Sequence, residues 1–272
     1  MWAFVYHPDR LPRAYNRWIS SAAAVDVRLL EILRRCRRGE YVYGANMGRI
    51  PLVESLCVDY GCPTAWADPS VTVPLPCEIV HMGRGPSCER HALVRFGRSF
   101  GFALATYVPL SLAGLLARMI FGGRGGRRDR ISAGMMTRVF RSATRSSLFL
   151  ASFITLFYYG VCLARSRVGP WVLGTSLAAR QRIDEGICVA VGCALCGWSV
   201  CVETAGRQKD MALFVAPRAL ATLVPRRYPA SMEWRETLVF AASAAVVLNC
   251  AMEDPSRVRG VLGLVLGKLL RG

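Results

Sequence analysis

Two stretches of nineteen residues without a charged side chain constrain this chain more than anything else in it: 99–117 (SFGFALATYVPLSLAGLLA) and 146–164 (SSLFLASFITLFYYGVCLA). A helix rises about 1.5 Å per residue, so about 20 apolar residues cross a hydrocarbon layer about 30 Å thick. Inside lipid the backbone must satisfy its own hydrogen bonds, which makes each stretch a helix. Pro109 interrupts the first, and membrane helices tolerate that; Tyr158 and Tyr159 suit an interface in the second. Two shorter apolar runs, 187–202 and 237–252, are bounded by Glu185, Glu203, Glu236 and Glu253. They read as tilted spans completed by snorkelling side chains, or as half-buried hairpins. Residues 211–225, split by Arg218, and the short runs 168–179 and 258–270 read as interfacial helices. The expected fold is an all-α integral membrane bundle of about four spans, near 99–117, 146–164, 187–202 and 237–252, with interfacial helices and an irregular cysteine-rich N-terminal region.

Charge reinforces this reading. The chain is 53% hydrophobic yet carries a formal charge of +17, with every basic residue except Lys209 and Lys268 an arginine. Apolar residues are gathered into blocks and arginines into the gaps, a distribution that bilayers impose and that nucleic-acid-binding surfaces do not. The first twenty residues hold His7, Asp9, Arg10, Arg13 and Arg17, so no secretory signal is expected. Eight arginines between 118 and 145 place that loop on the cytosolic side by the positive-inside rule.

Residues 1–95 read as a separate non-spanning region and 96–272 as the membrane domain. Within the first, 17–38 (RWISSAAAVDVRLLEILRRCRR) has helical spacing and closes near Gly39. Prolines at 51, 63, 69, 74, 76 and 86 then argue for short helices and loops. So small a region buries little apolar surface, and its five cysteines, Cys36, Cys57, Cys62, Cys77 and Cys88, help to hold it together.

Three groups of residues carry chemistry. Cys77, His81, Cys88 and His91 offer four thiolate and imidazole ligands, a plausible set for zinc. No C-x2-C knuckle is present within 77–91, however, which favours packed free thiols and no cofactor; a disulfide requires an oxidising space. In 187–202 the residues Gly192, Cys193, Cys196, Gly197 and Cys201 recur at intervals of four, a spacing that lets membrane helices approach closely. Arg124, Arg127, Arg128 and Arg130 lie in a glycine-rich tract with no Lys-Ser/Thr after it, so it reads as a basic linker against anionic headgroups and not as a nucleotide loop. The chain has three histidines and no G-x-S-x-G elbow, and no enzymatic activity is expected.

Several motifs together resemble the transmembrane protein 135 family, particularly its fungal members: Trp18-Ile19-Ser20, Asp59-Tyr60-Gly61-Cys62-Pro63, Cys77-Glu78-Ile79-Val80-His81 through Ser87-Cys88, Arg141-Ser142, and Ala216-Pro217-Arg218-Ala219-Leu220. Met82 stands where members often carry Pro after the histidine, and members are commonly longer. The later half of that family is distantly similar to the small-subunit family of mitochondrial inner-membrane translocases and to a peroxisomal membrane protein. The resemblance implies a peroxisomal or mitochondrial membrane and a role in lipid handling or organelle dynamics. The leading expectation is a multi-pass protein that binds, scaffolds or moves lipid-like cargo, with membrane lipids, other membrane proteins or itself as partners and no nucleic acid. A small channel or translocase-like pore is the first alternative. A thiol-dependent membrane enzyme using Cys77 and His81 is the second.

Overall fold

The computed structural model describes residues 1–121, 133–223 and 230–253, and among them every regular element is helical. Two compact units result, Met1–Thr222 and Leu223–Gly272. The expected boundary at 95/96 therefore does not appear; it falls inside a single helix, Cys88–Phe121. Arg124, Arg127, Arg128 and Arg130, and the interfacial helix expected over 258–270, lie outside the described residues.

The first unit opens with α1 (Trp2–Tyr6), α2 (Arg13–Ala23) and α3 (Val27–Arg38). The single helix expected over 17–38 is thus two. Ala24 turns left-handed (φ 44°), and the Asp26 carboxylate then caps α3 by accepting from the Arg28 N–H at 2.9 Å. Gly39 closes α3 in the left-handed conformation (φ 72°). Burial raises the Asp26 carboxyl, but hydrogen bonds from Arg28 and Tyr60 outweigh it and hold the group below its ordinary range. Next come α4 (Pro51–Tyr60) and the single turn α5 (Cys77–Val80). Tyr41, Tyr43, Val53, Leu56, Cys57 and Ile79 from this region share one core with Ile32 and Cys36 of α3.

Three helical segments are long and apolar enough to cross a membrane: Cys88–Leu116, Gly134–Leu173 and Leu177–Val202. The first lies within α6 (Cys88–Phe121), which continues past Pro109. The second comprises α7 (Ala133–Leu163), a π turn at Ala164–Val168 and α8 (Gly169–Leu173). The third comprises α9 (Leu177–Arg182), a kink at Gly186 and α10 (Cys188–Gly197). Ser176 caps α9 by accepting from the Ala179 N–H. The α8–α9 pair thus occupies what reads from sequence as an interfacial helix over 168–179. α7 is the centre of the unit, with α6 on one side and α10 on the other. Only 11% of the most apolar window of α6 is buried against protein, against 50% for the α7 segment. Leu110 and Leu116 of α6 are exposed, as a lipid-facing surface requires. Trp171 and Trp198, also exposed, stand near opposite ends of the bundle, where amphipathic rings anchor at interfaces.

The N-terminal region does not stand apart from these helices. Phe4, Val5 and Leu30 pack with Phe157 and Val161 of α7 and Val189 of α10 in a second core. Removing side chains of that size from water stabilises by about 1.5–3 kcal/mol each, so α1 and α3 are held on the bundle. α11 (Ala205–Ala221) follows, with no buried residue and with Pro217 inside it; it starts six residues earlier than the helix expected at 211. In the second unit a 3-10 turn at Ala230–Met232 leads into α12 (Glu233–Glu253), whose apolar portion, Thr237–Glu253, is shorter than the three candidate spans.

Candidate functional site

Two polar constellations occupy opposite ends of α7. At its C-terminal end, α5 presents Cys77 and delivers the chain to His81. Met82, Gly83 and Gly85 then take positive φ (55°, 74°, 89°) and fold the backbone back, so that the Gly85 carbonyl accepts from His81 Nδ1 at 2.8 Å. Proline could not adopt the φ of Met82, so this turn is one that a His-Pro sequence cannot make. A carbonyl only accepts, so the ring proton sits on Nδ1 and the Nε2 lone pair faces outward. It meets Cys162 Sγ of α7 at 3.3 Å. The ligand atoms of Cys77, His81 and Cys88 lie within 4.8 Å of one another, and all eleven cysteines are free thiols. Burial holds the His81 imidazole below its ordinary range and pushes the Cys77 thiol above its own, with Arg165 opposing the latter.

His91 is not part of that triad. It stacks on His81 with ring centroids 4.4 Å apart, and its Nε2 accepts from Arg95 Nε, one helical turn on, at 3.3 Å. Its place as expected fourth ligand is corrected: it backs the cluster, and Cys162 takes the contact with His81. Nothing in the spacing of 77–91 pointed to Cys162, because that residue arrives from a different helix.

Beside the cluster lies a buried ion pair missed by sequence reasoning. Arg165 grips Asp184 in a two-pronged contact, Nε to Oδ1 at 2.6 Å and Nη2 to Oδ2 at 2.9 Å, and donates to the Leu75 carbonyl at 3.1 Å. The Tyr43 hydroxyl donates to Asp184 and accepts from the Leu75 N–H. Burial, reinforced by Asp184, pushes the Tyr43 hydroxyl far above its ordinary range, so it stays a donor. Both charges are almost fully enclosed (6% and 2% exposed). The only sequence signal was an Arg and an Asp at matching ends of neighbouring apolar runs.

At the other end of α7, Arg138, Arg141, Ser142 and Arg145 line a pocket of about 180 Å³ with Glu203 and Arg207. Ser146 donates to Glu203 at 2.7 Å, and Arg207 donates to Ser146 and, at 3.1 Å, to Ser142. Glu203 is buried and not simply a hydrated helix end, as its position in the sequence suggests. Four guanidinium groups against one carboxylate leave the pocket strongly positive. Spacing of three and four puts the first three on one face of α7, a legible signal that the glycine-rich tract nearby obscured.

The expected packing residues divide. Gly192 is buried, and a Cβ there would lie 2.7 Å from the Phe157 carbonyl; one on Gly160 would lie 2.8 Å from Gly192 Cα. Gly160 and Gly192 are therefore the point of closest approach of α7 and α10. Cys196 is buried, and Cys193 is half-buried against the second core. Gly197 has open space around it and Cys201 is exposed, so neither packs; the helix turns both away from α7. No protein-family model matches the chain, and no curated protein or solved structure is significantly similar to it.

Proposed function

We propose that this is a multi-pass organelle membrane protein that binds lipid-like cargo with an anionic phosphate-bearing headgroup. The observation that carries the reading is the arginine pocket at the N-terminal end of the apolar part of α7. Arg145 directly precedes the uncharged run, so the pocket stands where a headgroup lies when acyl chains run along the helices. Guanidinium groups match phosphate oxygens in pairs, which ammonium groups do not. The exposed face of α6 supplies an apolar track. An interior site for the tails is disfavoured, since the apolar cavity between Val5, Leu30, Phe157 and Val161 is only about 50 Å³, the space of one or two waters. We take α12 as a fourth membrane segment, in keeping with the expected count. The peroxisomal or mitochondrial location and the link to lipid homeostasis rest on the family resemblance.

The test compares the full chain in nanodiscs of neutral lipid with and without a minor share of phosphatidic acid or phosphatidylserine, read by native mass spectrometry for co-purified lipid. Retention of the anionic lipid, lost in Arg138→Gln/Arg141→Gln/Arg145→Gln, is expected. Equal retention of neutral and anionic lipid by both proteins contradicts the reading. Displacement by inorganic phosphate alone would assign the pocket to a free phosphate and not a headgroup.

A further inference from the structure

We propose that Cys162 joins Cys77, His81 and Cys88 in a Cys3His site for a single zinc ion, which ties the N-terminal region to the membrane helices. Ligand atoms on a tetrahedral zinc, with bonds of about 2.0–2.3 Å, stand about 3.5–3.8 Å apart. The triad within 4.8 Å and the His81 Nε2 to Cys162 Sγ separation of 3.3 Å need only small adjustments to reach that spacing. Cys77 and Cys88 lie on the imidazole from the N-terminal region, and Cys162 meets its Nε2 from α7.

Two further features point to a cation here. His81 is already oriented as a ligand: its Nδ1 proton is committed to a backbone carbonyl and its Nε2 lone pair is aimed at the sulfurs, the second contact that metal-bound histidines almost always make. Arg95 is a buried cation, 4% exposed, with no carboxylate paired to it among the described residues; its guanidinium lies against the Tyr158 ring and touches His91, which stacks on His81. A buried charge needs a counter-charge. Three thiolates, a neutral imidazole and Zn2+ carry a net charge of minus one, which Arg95 balances, Arg165 being already paired with Asp184. On binding, the three thiols give up their protons to solvent and the sulfurs bond the metal; nothing is oxidised or reduced.

The ligands come from three places in the chain: the α5 turn (Cys77, His81), the start of α6 (Cys88) and the end of α7 (Cys162). A metal there does the work of a disulfide network in joining segments remote in sequence. This explains why 77–91 carries no C-x2-C knuckle: the last ligand is supplied by the bundle.

The full chain purified in detergent without chelator is assayed for metals, with helicity by circular dichroism as the folding control. About one zinc per chain is expected, lost in Cys162→Ser and in Cys77→Ser but kept in His91→Ala. Absence of zinc from the native protein with no uptake on addition, or zinc kept by Cys162→Ser and lost from His91→Ala, overturns the proposal. If Cys162→Ser does not fold, the cobalt-substituted native protein decides: thiolate-to-cobalt absorption of the strength of three sulfurs supports the site, and weaker absorption or none overturns it. A Cys77–Cys88 disulfide found in the native protein by mass spectrometry overturns it too. The arginine pocket lies at the other end of α7, so failure here leaves the lipid reading untouched.

Discussion

Gly192 and Gly197 are five residues apart in one helix and carry the same side chain, yet their surroundings differ completely. A Cβ at Gly192 would press on the Phe157 carbonyl and on the Val161 side chain, whereas at Gly197 it would meet nothing within 4 Å. Overpacking at a rigid contact costs about 1–3 kcal/mol, occasionally more. Gly192→Leu should therefore lower the detergent melting temperature clearly, while Gly197→Leu leaves it close to native; equal melting temperatures would refute the Gly160–Gly192 contact. Leu195 also gains a role at this scale. Its Cδ1 would lie 3.0 Å from a Cβ on Gly160, so it packs against α7 and does not face lipid as a simple helical stripe suggests. Periodicity in 187–202 revealed that small residues share a face, but not which of them face protein. That choice is made by Gly160, a residue of another helix, and is invisible in a local window.

Among the elements, α7 carries most of the organisation, since it touches α6, α10, the N-terminal core and both polar constellations. The uncharged runs and the helix stop at Gly39 were readable from composition and spacing. The break at Ala24 was not, because Ala-Ala-Ala-Val is a strong helix former and only the Asp26 cap, two residues before Arg28, marks the new start. Nor was the Arg165–Asp184 pair, which joins the end of one span to the start of the next across eighteen intervening residues. Removing one partner leaves an uncompensated buried charge, typically at a cost of about 3–5 kcal/mol, whereas removing both is often near neutral. Asp184→Leu should thus destabilise the chain more than Arg165→Met/Asp184→Leu does, as read by the denaturant midpoint in detergent. Additive losses in that cycle would show that the two side chains do not act as a pair.

For the molecule as a whole, the ends of α7 set the geometry. Ser146 at the arginine pocket and Cys162 at the thiol cluster are separated by sixteen residues, about 24 Å along a helix at 1.5 Å per residue. That is close to the thickness of a hydrocarbon layer, and the residues between carry no charge. With α7 crossing a membrane, the cysteine-rich region stands on one side and the arginine pocket on the other. A chain lying along one surface would put both on the same side. The most direct measurement is epitope accessibility in sealed membrane vesicles, with one tag inserted beside the exposed Val71 and another after Gly123. An antibody should reach only one of the tags in intact vesicles and the other once detergent opens them. Both tags reached in intact vesicles, with the chain released by alkaline carbonate, would contradict it.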